Sequence, residues 1–134
     1  MVAMALEELI VDVRDIDREL VSTLLAPYLR IDCRSGDVVP LAAWNDVPNE
    51  VRVLLYLLAR RAMRALELEI ARASASPSEI ERATGIPGGS VRPALKRLLK
   101  ARAVARDATI GYIVPNYAMG RVRDYIQQWL PSAA

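Results

Sequence analysis

Six basic side chains stand between Pro87 and Arg106 with no acid among them: Arg92, Lys96, Arg97, Lys100, Arg102 and Arg106. Ammonium and guanidinium groups pair with phosphate, and the planar guanidinium fork suits a phosphate edge best. On a helix turning about 100° per residue, Gly89, Arg92, Pro93, Lys96, Arg97 and Lys100 share one face. Val91, Ala94, Leu95, Leu98 and Leu99 share the opposite, apolar one. The approach, Gly88-Gly89-Ser90, is stripped of bulk. Backbone N–H groups and the positive end of a helix dipole could approach an anion closely there.

Other chemistries lack their residues. The 134-residue chain has no histidine and one cysteine, Cys33. That excludes histidine general bases, Cys–His nucleophiles and internal disulfides, and it argues against a zinc site. The glycines of IPGGS (86–90) match neither the Walker loop nor the dinucleotide loop. Glu7-Glu8 and Asp15-Ile16-Asp17 hold neighbouring carboxylates, but on a helix they read as a solvated acidic face. We therefore expect no enzyme, no cofactor and no metal. Cys33 alternates with Leu29 and Ile31 and is expected in the core of a strand.

The formal net charge is only +2, yet its distribution is uneven. Residues 1–50 carry ten acids and four arginines, whereas residues 78–134 carry nine Lys or Arg and four acids. Such asymmetry suggests two surfaces with different partners. The start, MVAMALEELIVDVRD, has no basic leader region. The most apolar run, Val51–Ala59, is far below the roughly 20 residues that span a bilayer. The expectation is a soluble, cytoplasmic chain without membrane contact.

Elements must position the basic face. Leu6, Leu9, Val13, Ile16, Leu20 and Leu24 repeat at helical, nearly heptad spacing. They predict an N-terminal helix, broken near Asp15 if that residue caps a second helix, and ended by Pro27. Residues 28–41 read as a short β-hairpin turning at Ser35-Gly36-Asp37. From Asn49 to about Arg72 no Gly or Pro interrupts a broad apolar pattern, which predicts a central core helix. Ser76-Pro77-Ser78-Glu79 spells a capping box with proline at the first helical position. Ile80 and Ala83 should face inward, and Gly85 should stop the helix left-handed. Pro93 favours a late start for the next helix, near Ser90, where the missing N–H is harmless. Two short strands follow Val104. Asn116 then caps a last helix carrying Met119, Val122, Tyr125, Ile126 and Trp129, which Pro131 ends.

Residues 76–104, SPSEIERATGIPGGSVRPALKRLLKARAV, resemble the core of winged-helix transcription regulators. The matching positions are Ala83, Gly85, Ile86, Ser90, Val91, Ala94, Leu95 and Leu98. The resemblance covers about residues 49–130 and is firmest over 76–114. It implies an α+β, mostly helical chain: a winged helix-turn-helix with C-terminal helix over 48–134, behind an acidic N-terminal extension over 1–47. It further implies a DNA-binding transcription regulator whose recognition helix, about 90–101, enters the major groove of double-stranded DNA. The expected contacts are Gly89, Ser90, Arg92, Lys96, Arg97 and Lys100, with Arg106 and Thr109 from the wing, where Asp107 opposes a phosphate. A homodimer is expected, through the N-terminal helix, the end of the long helix or the C-terminal helix. A winged helix serving as a protein-interaction module is the alternative. Two departures stand out: Arg102 occupies the place of the usual closing glycine, and the helix face offers few side chains that read base edges.

Overall fold

The computed structural model describes residues 18–66, 72–107 and 111–130. In chain order these form α1 (Arg18–Leu25), β1 (Leu29–Ile31), β2 (Val38–Pro40), a 3-10 turn (Ala42–Asp46) and α2 (Asn49–Ala65). There follow α3 (Pro77–Thr84), α4 (Gly88–Lys100), β3 (Ala105–Asp107), β4 (Gly111–Ile113), a second 3-10 turn (Asn116–Ala118) and α5 (Met119–Trp129). The described residues are mostly helical, with two separate antiparallel hairpins, β1–β2 and β3–β4. This agrees with the α+β expectation.

Helix α2 is the axis of the core. Val51, Val53, Leu54, Leu55, Leu57 and Leu58 are fully buried, and the buried Tyr56 and Met63 close the remaining arc of its circumference. A helix apolar all round needs neighbours on every side, and α1, α3, α4, α5 and β4 all pack against it. Burying each of these side chains contributes roughly 1.5–3 kcal/mol. The helix stops at Ala65, short of the expected Arg72. The Arg72 carbonyl accepts a 2.7 Å bond from Arg60 Nη2, so Arg72 lies beside α2 and not on an extension of it. Twelve further helical residues would instead have carried it roughly 18 Å away.

The N-terminal hairpin joins the same core. Val21, Leu24, Leu25, Tyr28, Leu29, Trp44 and Val47 belong to one buried cluster with the α2 side chains. Arg52 fastens the 3-10 turn to α2, donating from Nε to the Trp44 carbonyl at 2.9 Å and from Nη2 to the Asn45 carbonyl at 2.8 Å. The hairpin register pairs Leu29 with Pro40 and Ile31 with Val38, and Gly36 supplies a positive φ in the turn. Cys33 is not a core residue. It is exposed in that turn, because the strand ends at Ile31. Asp32 has already begun the reversal, accepting bonds from the backbone N–H of Arg34 and Gly36. The expected N-terminal helix is seen as α1; its start and the break at Asp15 lie outside the described residues.

At the other end, Asn116 does not cap α5. It opens the 3-10 turn, and its Oδ1 accepts a 2.6 Å bond from Arg61 Nε instead. Helix α5 begins at Met119 behind Ala118, which has no capping side chain. The competing donor decides the matter: Arg61 is partly buried and needs an acceptor. Burial first, then the Arg64 charge, pull its guanidinium below the ordinary arginine value, with Asp107 acting in the opposite sense. Pro131 lies outside the described residues.

Candidate nucleic-acid interface

The basic face depends on α4, and α4 is placed by what precedes it. Ser76 caps α3: its Oγ accepts from the Glu79 N–H at 3.2 Å, and Glu79 Oε1 accepts from the Ser76 N–H at 3.2 Å. Pro77 takes the first helical position, and Gly85 ends α3 at φ +74°, where its missing Cβ avoids the left-handed penalty. Ile80, Ile86, Val91, Leu95 and Leu98 seal the two helices onto α2. Ala83, expected inside, is exposed. The short helix turns inward along the Ile80–Thr84 step, where Thr84 Oγ1 donates to the Ile80 carbonyl at 2.6 Å.

Helix α4 starts earlier than expected. Pro87 is its N-cap, and its carbonyl accepts from the N–H of both Ser90 and Val91. Pro93 therefore lies inside the helix, not in its first turn. The proline ring tops Gly89, whose carbonyl loses its partner four residues on. Solvent is an adequate substitute for that bond, because Gly89 and Pro93 both lie on the exposed side.

The helix ends in a left-handed arginine. Arg102 has φ +62°, the only positive φ outside glycine among the described residues. The Ala103 N–H bonds the Leu98 carbonyl at 3.1 Å, and the Arg102 N–H bonds that of Leu99 at 3.0 Å. This is the six-to-one and five-to-two pattern of a Schellman stop. The buried Ala103 and Val104 then turn the chain into β3.

Arg92, Lys96 and Lys100 are exposed on one face of α4, and Gly89 is exposed beside them. Ser90 is half-buried. Arg97 is exposed but committed elsewhere: its Nη1 lies 3.0 Å from Oε1 of Glu50, whose carboxylate is buried in the first turn of α2. Arg106 lies on β3 with its guanidinium carbon 5.7 Å from the centre of the Tyr112 ring. Thr109 lies outside the described residues. Hairpin β3–β4 pairs Arg106 with Tyr112, and Tyr112 also bridges to Ala75, exchanging backbone bonds of 2.8 and 2.9 Å. That bridge ties the hairpin to the segment just before α3. Gly111 permits it, since a Cβ there would lie 3.1 Å from the Ser74 side chain.

One charge was not foreseen. A Cβ built on Gly88 would lie 2.8 Å from Oε2 of Glu81, so a carboxylate stands at the start of α4. It complements the helix dipole and competes with any phosphate there. Glu81 and Arg82 also line a shallow cleft with Gly85 and Pro87. Neither Glu81–Gly88 nor Arg97–Glu50 shows in local spacing, because one pairing crosses a turn and the other spans 47 positions.

No three His, Cys, Asp or Glu gather into a metal-binding group among the described residues, and no described helix is long and apolar enough to cross a membrane. Comparison with family models, with curated proteins and with solved structures gives no match.

Proposed function

We propose that the chain is a winged helix-turn-helix protein that binds double-stranded DNA as a homodimeric transcription regulator. The observation that carries this reading is the surface of α4, where Arg92, Lys96 and Lys100 stand exposed on one face without an acid beside them on the helix. Helix α4 follows α3 through a tight Gly85-Ile86-Pro87 turn and leads into hairpin β3–β4, the order of a winged helix. In this reading α4 lies in the major groove. Arg92, Lys96 and Lys100 hold phosphates, Arg92 and Ser90 reach base edges, and Arg106 flanks from the hairpin. Arg97 moves from contact residue to helix tie. Catalysis forms no part of this reading.

A second reading has its own observation. The Glu81 carboxylate stands at the start of α4, and a second acid, Asp107, follows Arg106 on β3. A protein partner carrying mixed charge would suit that arrangement, and winged helices also serve as such modules.

Salt dependence separates the two. Binding to duplex DNA should weaken linearly with the logarithm of salt. The double variant R92A/K96A should reduce the slope by about 1.8, at about 0.9 per phosphate contact. A parent without salt-sensitive duplex binding, or a double variant with the parent's slope, would overturn the DNA reading.

A further inference from the structure

Helix α1, strand β1 and the end of α2 enclose an apolar groove of about 510 Å³. Val21, Leu25, Leu29, Ile31, Ala62 and Leu66 line it, and Arg18 and Arg30 stand at its edge. No acid lines it. Leu66 is 55% exposed at the lip, although it is a large apolar side chain. Leaving such a surface in water is unfavourable, and apolar patches rimmed by charge mark contact sites.

The chain itself carries the complementary surface. Leu6, Leu9, Val13 and Ile16 repeat at helical spacing, and Glu7, Glu8, Asp12, Asp15 and Asp17 stand between them. Residues 1–17 thus hold five acids against one arginine, Arg14. An acidic amphipathic segment suits an apolar groove with an arginine rim. Connectivity decides which copy supplies it. The segment joins α1 at Arg18, itself on the rim, and would have to reverse at once to enter its own groove. Between Met4 and Arg18 only aspartates could make that turn, and the apolar positions from Leu6 to Ile16 stay in phase with Leu20 and Leu24 of α1, as a continuous helix requires. We infer that the groove receives residues 6–16 of a second copy, each copy filling the other's groove about a two-fold axis. This rests on the homodimer part of the reading above and deepens it; it is independent of DNA contact.

Two measurements test it on the full chain. Light scattering should give a dimer for the parent. L66E, which alters an exposed residue, should keep the parent's circular dichroism and weaken the dimer on the order of a hundredfold, by facing the acidic segment with a carboxylate at an apolar contact. Separately, V13C/L66C in a C33S background should oxidise to a disulfide between copies, seen as a dimer on a non-reducing gel. A monomeric parent overturns both the exchange and the homodimer. A dimeric parent whose L66E variant stays equally dimeric, or a cysteine pair that closes within one chain or not at all, overturns the groove alone. Duplex DNA binding, read separately by its salt slope, stands or falls on its own.

Discussion

Arg97 and Arg102 look alike in sequence, two arginines of one basic cluster, yet the fold uses them differently. Arg97 neutralises Glu50, a carboxylate almost removed from water, and the guanidinium itself is largely exposed. Truncation to Ala should therefore cost about 1 kcal/mol in urea unfolding, at the low end of the 1–3 kcal/mol for orphaning a buried polar group. It should leave the DNA salt slope close to the parent's. A slope lowered by about 0.9 would show instead that Arg97 reaches a phosphate. Arg102 carries the reverse signature. Its left-handed backbone costs about 1 kcal/mol in a non-glycine residue. R102G should raise stability by about 0.5–1 kcal/mol, the flexibility glycine adds to the unfolded chain offsetting part of the gain. That strain was legible in the sequence as an arginine where a glycine is usual. The Arg97 pairing was not, because a contact across 47 positions leaves no local period to read.

At the scale of elements, the sequence spoke most clearly where several signals agreed. The Ser76–Glu79 box, Pro77 and Gly85 mark both ends of α3, and the structure keeps every one of them. Signals that stood alone were overruled by neighbours. Asn116 gave its oxygen to Arg61, and Pro93 was accommodated by an exposed glycine one turn earlier. The box has a pH signature. Burial pushes the Glu79 carboxyl up, but bonds from the Arg72 guanidinium and from the Ser76 backbone and hydroxyl outweigh it, so Glu79 sits below its ordinary value. A carboxylate with a lowered folded pKa stabilises above its unfolded value, near 4.5. That contribution fades as pH falls through the lower, folded value. E79Q should therefore be less stable than the parent at pH 7, with the gap closing below about pH 4 in thermal melts. S76A should cost about 1 kcal/mol at pH 7, the usual worth of an N-cap hydroxyl. An E79Q deficit unchanged at pH 3 would mean that shape, and not charge, holds the box.

For the whole molecule, the two proposals meet in one quantity. Each copy presents three exposed cations on α4 that no described acid pairs with: Arg92, Lys96 and Lys100. If all three meet phosphates, one copy contributes about 2.7 to the salt slope and a two-fold dimer about 5.4. The groove filled in the proposed dimer involves α1, β1 and the end of α2, none of which carries the α4 basic face. Losing the dimer through L66E should therefore leave each α4 surface intact. The variant should bind duplex with about half the parent's slope and protect a single half-site, whereas the parent should protect two half-sites about 10 base pairs apart or a multiple of that. The halved slope is the discriminating number. A variant that is monomeric yet keeps the full slope would mean that one copy makes all the phosphate contacts. A monomer that loses the slope entirely would mean that α4 is organised only within the pair, which the burial of Val91, Leu95 and Leu98 against α2 in a single chain argues against.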